Sequence, residues 1–259
     1  MFKYVLYGFI LCVSFGQNTR FSDTLFVYIR MEETSPTARF EQHLMKDLVT
    51  LYNRTNVLKH RFILQFKKVD GFSALIETVE HNTEQKKYIC GIRGVTIRPT
   101  KRFMFSHPYF PIESGVIGNK ASSKTYNPKT ATVHYFSTST NTPFINEVRT
   151  NYSFKLKIVQ NESPYHKVLH NEWDYYLGDT IDAWQIENLK VIHTVGAKSH
   201  LGILFPLGSP LKNIFDPILK YYVRSAKYFS AIKHYYGNGF SVYISAYKDE
   251  MARKFGKLH

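Results

Sequence analysis

The stretch Gly94-Val95-Thr96-Ile97-Arg98-Pro99-Thr100-Lys101-Arg102 gathers the residues best equipped to do chemistry. Thr96 brings a hydroxyl, the turn brings free backbone N–H groups, and Lys101 or Arg102 brings a cation. Aimed at one spot, such groups hold a small carboxylate or another anion. Pro99 suits the first turn of a short helix, where a missing N–H costs little. The same residues also make an ordinary surface turn with solvated bases, so their surroundings decide between the two. Elsewhere, His166 and His170 stand four apart and fit two metal ligands on one helix face. Glu162 and Glu172 beside them complete no ligand set, which favours plain surface residues. No Ser/His/Asp arrangement, phosphate loop or zinc signature is present in the sequence.

Positioning the Gly94–Arg102 stretch falls to an alternation of short apolar strands and amphipathic helices, the pattern of α/β architecture. Leu25–Ile29 and Arg61–Phe66 have strand composition, and Tyr88–Val95 makes a third strand. Phe40, Leu44, Leu48 and Leu51 recur at helical spacing, which predicts a helix from Ala38 to about Tyr52. Gly71–Glu80 is a second helix. His107–Asn119, with Pro108, Pro111, Gly115 and Gly118, suits a crossing between two units. The second unit holds strands at Thr132–Phe136, Leu156–Val159 and Ile181–Ile186. Its helices are expected at Thr142–Tyr152, where Thr142 caps and Pro143 opens the first turn, and at Ser163–Asn171. Val195–Leu204 returns to the first unit, and Pro210–Gly237 carries helical periodicity.

Met1–Gly16 has the form of a secretory leader: Lys3 is the positive end, Tyr4–Val13 the apolar run, and Ser14-Phe15-Gly16 the cleavage residues. The apolar run is short of the roughly 20 residues a membrane span needs. An exported protein follows from it. Once the leader is removed, Cys90 is the remaining cysteine, so no intramolecular disulfide can form. The chain has 259 residues, a formal charge of +14 and 16% aromatic residues. Its bases are spread out with no nucleic-acid motif, which points to anionic solutes or partners rather than to nucleic acid.

Gly94-x-Thr96-Ile97-x-Pro99 followed by Phe105-Ser106-x-Pro108-Tyr109 resembles family 3 of the bacterial extracellular solute-binding proteins, the periplasmic amino-acid-binding type. Ile181-Asp182-Ala183-Trp184 after Gly178, Phe205–Leu211 and Tyr235-Tyr236-Gly237 resemble later segments of that family, in the same order. The resemblance implies a two-lobe type II periplasmic-binding-protein fold with two crossing strands. Lobe 1 then takes residues 17–110 and 205–259, and lobe 2 takes 111–204. It implies a periplasmic monomer without cofactor or metal, capturing a small polar solute, an amino acid or related carboxylate, for an ABC permease. A ligand-sensing module for a membrane receptor and a lyase-type enzyme on the same scaffold are the alternatives.

By that resemblance, Gly94 and Thr96 present backbone and hydroxyl groups to the ligand. The family's carboxylate-clamping arginine falls at Lys101, with Arg102 or Arg98 as substitutes. A lysine offers a point charge where the arginine offers a planar fork. Ser137 and Thr138 match the second lobe's turn at a helix N-terminus, which holds the other side of a carboxylate. The ammonium-pairing acid, five residues after the acid of the strand around Asp182, falls at Glu187, with Asp179 as a second candidate. The usual aromatic platform near Met31–Thr37 is missing, and Tyr28 or Phe72 stands close enough to replace it.

Overall fold

The computed structural model describes residues 21–30, 36–56, 60–81, 88–98, 100–136, 142–159, 164–237, 240, 247, 249–250 and 253. The first of the described elements is strand β1 (Phe21–Arg30), whose Leu25, Val27 and Ile29 alternate inward. Helix α1 (Pro36–Thr55) buries Phe40, Leu44, Met45, Leu48 and Val49 along one stripe, as the periodicity predicts. Strand β2 (His60–Val69) and helix α2 (Gly71–His81) follow. Strand β3 is only Ile89–Gly91. The expected strand through Val95 stops short because Ile92 makes the last backbone bond to Tyr28, at 3.1 Å, and Gly94 then turns the chain at φ +55°.

Strands β4 (Phe103–Phe105) and β5 (Phe110–Asn119) come next. Strand β6 (Thr132–Phe136), helix α3 (Thr142–Asn151), strand β7 (Lys155–Val159) and helix α4 (Pro164–Leu169) then build the second unit. The next elements correct the sequence reading. Strand β8 is Tyr175–Asp179, and the segment expected as a strand at Ile181–Ile186 is instead helix α5 (Thr180–Gln185). Strand β8 lies between β6 and β5, so Tyr175, Tyr176 and Leu177 are all buried and show a continuous run rather than alternation. Strands β9 (Leu189–Leu201) and β10 (Leu204–Pro206) lead to helices α6 (Leu211–Tyr222) and α7 (Ala226–Tyr236). The helical periodicity from Pro210 to Gly237 thus resolves into two helices, parted where Ser225 takes an extended backbone and its Oγ accepts the Tyr228 N–H at 3.2 Å.

Among the described residues the strands form two five-stranded sheets, in the orders β2-β1-β3-β10-β4 and β7-β6-β8-β5-β9. In the first, β1 runs parallel to β2 and β3; in the second, β6 runs parallel to β7 and β8. The chain passes from the first sheet to the second between β4 and β5 and returns between β9 and β10. Strands β5 and β9 pair antiparallel from Phe110↔Leu201 to Asn119↔Leu189, with irregularities between Ile112 and Ser114 and between Val116 and Ile117. These are the two crossing strands. The larger core joins the first sheet to α1, α6 and α7, and Phe110 at the start of β5 packs on Phe40 and Phe240 at centroid distances of 5.8 and 5.6 Å. The second sheet has its own core of Val133, Tyr135, Val148, Leu177 and Val195.

Candidate functional site

In open α/β sheets, ligands bind beyond the carboxyl ends of the parallel strands, where loops leave free backbone groups. In the first sheet, β3 delivers its loop there. Thr96 bridges Leu201 at the end of β9, the Ile97 N–H donates to the His200 carbonyl at 2.8 Å, and the Gly202 N–H donates to the Val95 carbonyl at 3.0 Å. The loop is therefore sewn to a crossing strand. Gly94 donates its N–H to Glu41 Oε1 at 2.6 Å, so that donor is spent inside the protein. Thr96 is half-buried, and no hydrogen bond engages its hydroxyl among the described residues.

The cations that follow differ in their surroundings. Arg102 is exposed and donates a fork to Glu80 on α2, with Nε at 2.6 Å, which holds the Glu80 carboxyl below its ordinary value. Its guanidinium fastens the loop to α2. Lys101 is exposed. Arg98 is half-buried and makes no ion pair among the described residues, and its partial burial pulls the guanidinium pKa below its usual value. Pro99 lies outside the described residues, and the rest of 97–102 forms no helical turn.

The Phe105-Ser106-x-Pro108-Tyr109 segment shows why it has those residues. The Ser106 N–H donates to the Ile203 carbonyl at 2.8 Å, and Ser106 Oγ accepts the Ile203 N–H at 2.9 Å. Asp216 on α6 accepts the His107 N–H at 2.8 Å and pairs with Lys212 at 2.5 Å. The buried Tyr109 donates its hydroxyl to Glu41, and its carbonyl accepts from Tyr228 at 2.5 Å. The segment thus anchors the start of crossing strand β5.

In the second sheet, Ser137 and Thr138 follow directly on β6 and lie outside the described residues, as do Ser139 and Thr140, the leader Met1–Gly16 and residues 31–35. Asp179 ends β8 and is registered against Ser114 of crossing strand β5. Thr180 beside it is 1% exposed, and its Oγ1 has no hydrogen-bond partner among the described residues. Such a hydroxyl is the kind of group that a bound solute or water satisfies. Glu187 is exposed on the turn between α5 and β9, away from the carboxyl end of β8.

Asp174 immediately precedes β8 and Asp179 ends it, whereas Asp182 belongs to α5. Glu41 went unrecognised in the sequence although it interrupts the apolar stripe of α1 beside Phe40, Leu44 and Met45. Tyr28 and Phe72 both pack against the core around Leu75, Val79, Val95 and Leu204. His166 and His170 lie with ring centroids 4.1 Å apart, and no group of three metal-ligating side chains forms among the described residues. No helix among them is long and apolar enough to cross a membrane.

No protein-family model and no curated protein matches the sequence. Solved structures do match the fold. The GluR0 ligand-binding core from Nostoc punctiforme, in complex with L-glutamate, aligns with a TM-score of 0.60 at 15% identity, covering 83% of this chain and 99% of its own. An ancestral arginine-binding protein bound to arginine gives 0.59 at 18%, covering 83% and 98%. A structure concerning glutathione import via GshT and the cystine ABC importer TcyBC of Streptococcus mutans gives 0.63 at 16%, covering 84% and 96%. The chain has the two-lobe fold of these binding proteins.

Proposed function

We propose that this protein is an exported solute-binding protein that holds a small amino acid or related carboxylate between its lobes and presents it to an ABC permease. The observation that carries this reading is the convergence on one pair of crossing strands. The Gly94–Thr96 loop meets β9 from the first sheet, and Asp179 meets β5 from the second. In this reading Met1–Gly16 is removed on export, residues 17–110 and 205–259 form lobe 1, and residues 111–204 form lobe 2. Thr96 and Arg98 hold the ligand carboxylate, because Arg98 is a half-buried fork that no carboxylate among the described residues occupies. Lys101 contributes a solvated charge, and Arg102 shapes the loop through Glu80. Gly94 offers its carbonyl, since its N–H serves Glu41. Ser137 and Thr138 complete the anion side from lobe 2, and Asp179 rather than the solvated Glu187 pairs with the ammonium.

Binding is reversible and without turnover in this reading. The structural likeness to the GluR0 ligand-binding core keeps a receptor-coupled role as a second reading of the same site. Co-purification with a permease or with a receptor separates the two. The function is tested by melting the mature protein against amino acids, dicarboxylates, amines and short peptides. A solute at a hundredfold excess over its Kd stabilises by about 2.7 kcal/mol, which raises Tm by about 5–10 °C in a chain of this size. A panel that leaves Tm unmoved for amino acids and carboxylates alike removes the proposed ligand class.

A further inference from the structure

Glu41 is a carboxylate in the apolar stripe of α1, 2% exposed, with no solvent to share its charge. Its Oε1 accepts the Gly94 N–H at 2.6 Å and also the Tyr109 hydroxyl. Tyr109 in turn donates its N–H to the Leu201 carbonyl at 3.0 Å and accepts from Tyr228 of α7 at its own carbonyl. One buried carboxylate therefore connects α1 to the Gly94–Thr96 loop and, through Tyr109, to the points where β5 begins and β9 ends. We propose that Glu41 is a positioning residue whose protonation state sets how firmly the Gly94–Thr96 ligand loop and the entry to crossing strand β5 are held together.

The chemistry supports a change of state near neutrality. Burial raises the Glu41 carboxyl to about 7, against the opposing effects of the Tyr109 and Gly94 bonds and the Arg93 charge. Among the described residues, the titratable and charged groups facing this network are Arg93 from the loop, Tyr109 from the entry to β5 and Tyr236 from α7. On α1 itself, His43 and Asp47 pair at 3.2 Å, and Asp47 is further held by Tyr222 of α6 and Lys227 of α7. Both donors to Glu41 converge on Oε1, so a proton on Oε2 leaves both bonds in place. Loss of that proton sets a full negative charge against Gly94 and Tyr109. Because the folded value lies above the unfolded one, the stabilisation is complete below the ordinary carboxylate range and is lost as pH rises through about 7.

The inference rests on Gly94–Thr96 being the ligand loop, but its readout needs no ligand. In ¹⁵N-labelled mature protein, the Gly94 amide shift should titrate near pH 7 in the wild type and stay level in Glu41→Gln. Between about pH 6 and pH 8 the wild type should also lose about 3–5 °C of Tm relative to Glu41→Gln. Tyr109→Phe provides a second variant: it deletes a bond that favours the charged form, so the Gly94 midpoint should move up. A Gly94 amide that stays level in the wild type overturns the proposal, as does the same titration persisting in Glu41→Gln. A level Gly94 with a panel solute still bound defeats this coupling alone. A titrating Gly94 with no solute bound upholds the coupling and defeats the ligand assignment.

Discussion

Asp179 and Glu187 carry the same charge within one short stretch, yet their positions give them different surroundings. Asp179 ends a buried strand against Ser114 of β5, and Glu187 sits exposed on a turn. If Asp179 pairs with a ligand ammonium, Asp179→Asn leaves that charge desolvated without its counter-ion. Losing one side of such a pair costs about 2–5 kcal/mol, or roughly thirtyfold to several thousandfold in affinity. Glu187→Gln should leave affinity within about twofold, because a solvated charge contributes little. Calorimetry on the two variants with the best solute of the melting screen checks both. The reverse ranking would return the ammonium site to Glu187. The same logic of surroundings separates Arg98 from Arg102, which the sequence presents as near-equivalent cations: one is half-buried with no partner acid among the described residues, and the other is engaged by Glu80.

At the scale of elements, local pattern was legible wherever an element declares its own buried face. The alternation in β1 and the helical stripe of α1 are visible in the residues themselves, and both form as expected. Strand β8 was not legible as a strand because burial on both faces erases alternation, and the helix after it then took its place in the reading. The division of α6 from α7 depends on one cap. Ser225 Oγ satisfies the Tyr228 N–H, which has no helical partner of its own. Ser225→Ala should cost about 1 kcal/mol and lower Tm by about 2–4 °C, while Ser225→Asp, which keeps an acceptor, should recover most of the loss. Equal melting of all three chains would show that tertiary packing of Tyr228 holds this end without the cap.

At the scale of the whole molecule, the two sheets are joined by β5 and β9, and the loops that carry the candidate site abut that pair from either side. A ligand that touches both sheets favours the arrangement in which they approach, by the difference in its affinity for the two arrangements. Saturating the protein with its best solute should therefore lower the radius of gyration in small-angle scattering. An unchanged radius at full occupancy would place binding on one lobe alone. Cys90 offers a global probe of the same fold: it is fully buried, and burial pushes its thiol well above the ordinary value. The mature chain should react with a thiol reagent only once it unfolds.

By itself the sequence determined what is local: the alternation of strands and helices, and the ordered segments through which it resembles a two-lobe binding protein. Those features rest on periodicity, capping and composition, which act over a few residues. The tertiary structure alone decided which polar groups meet. Glu41 reaches Gly94 and Tyr109 from far along the chain, and Glu80 takes Arg102. Strand β8, by pairing with β6 and β5, sets Asp179 against Ser114 and leaves Asp182 in a helix. A charged side chain takes its role from the nearest partner and from the water excluded around it. Both are properties of the path of the chain in space, which no window of neighbouring residues contains.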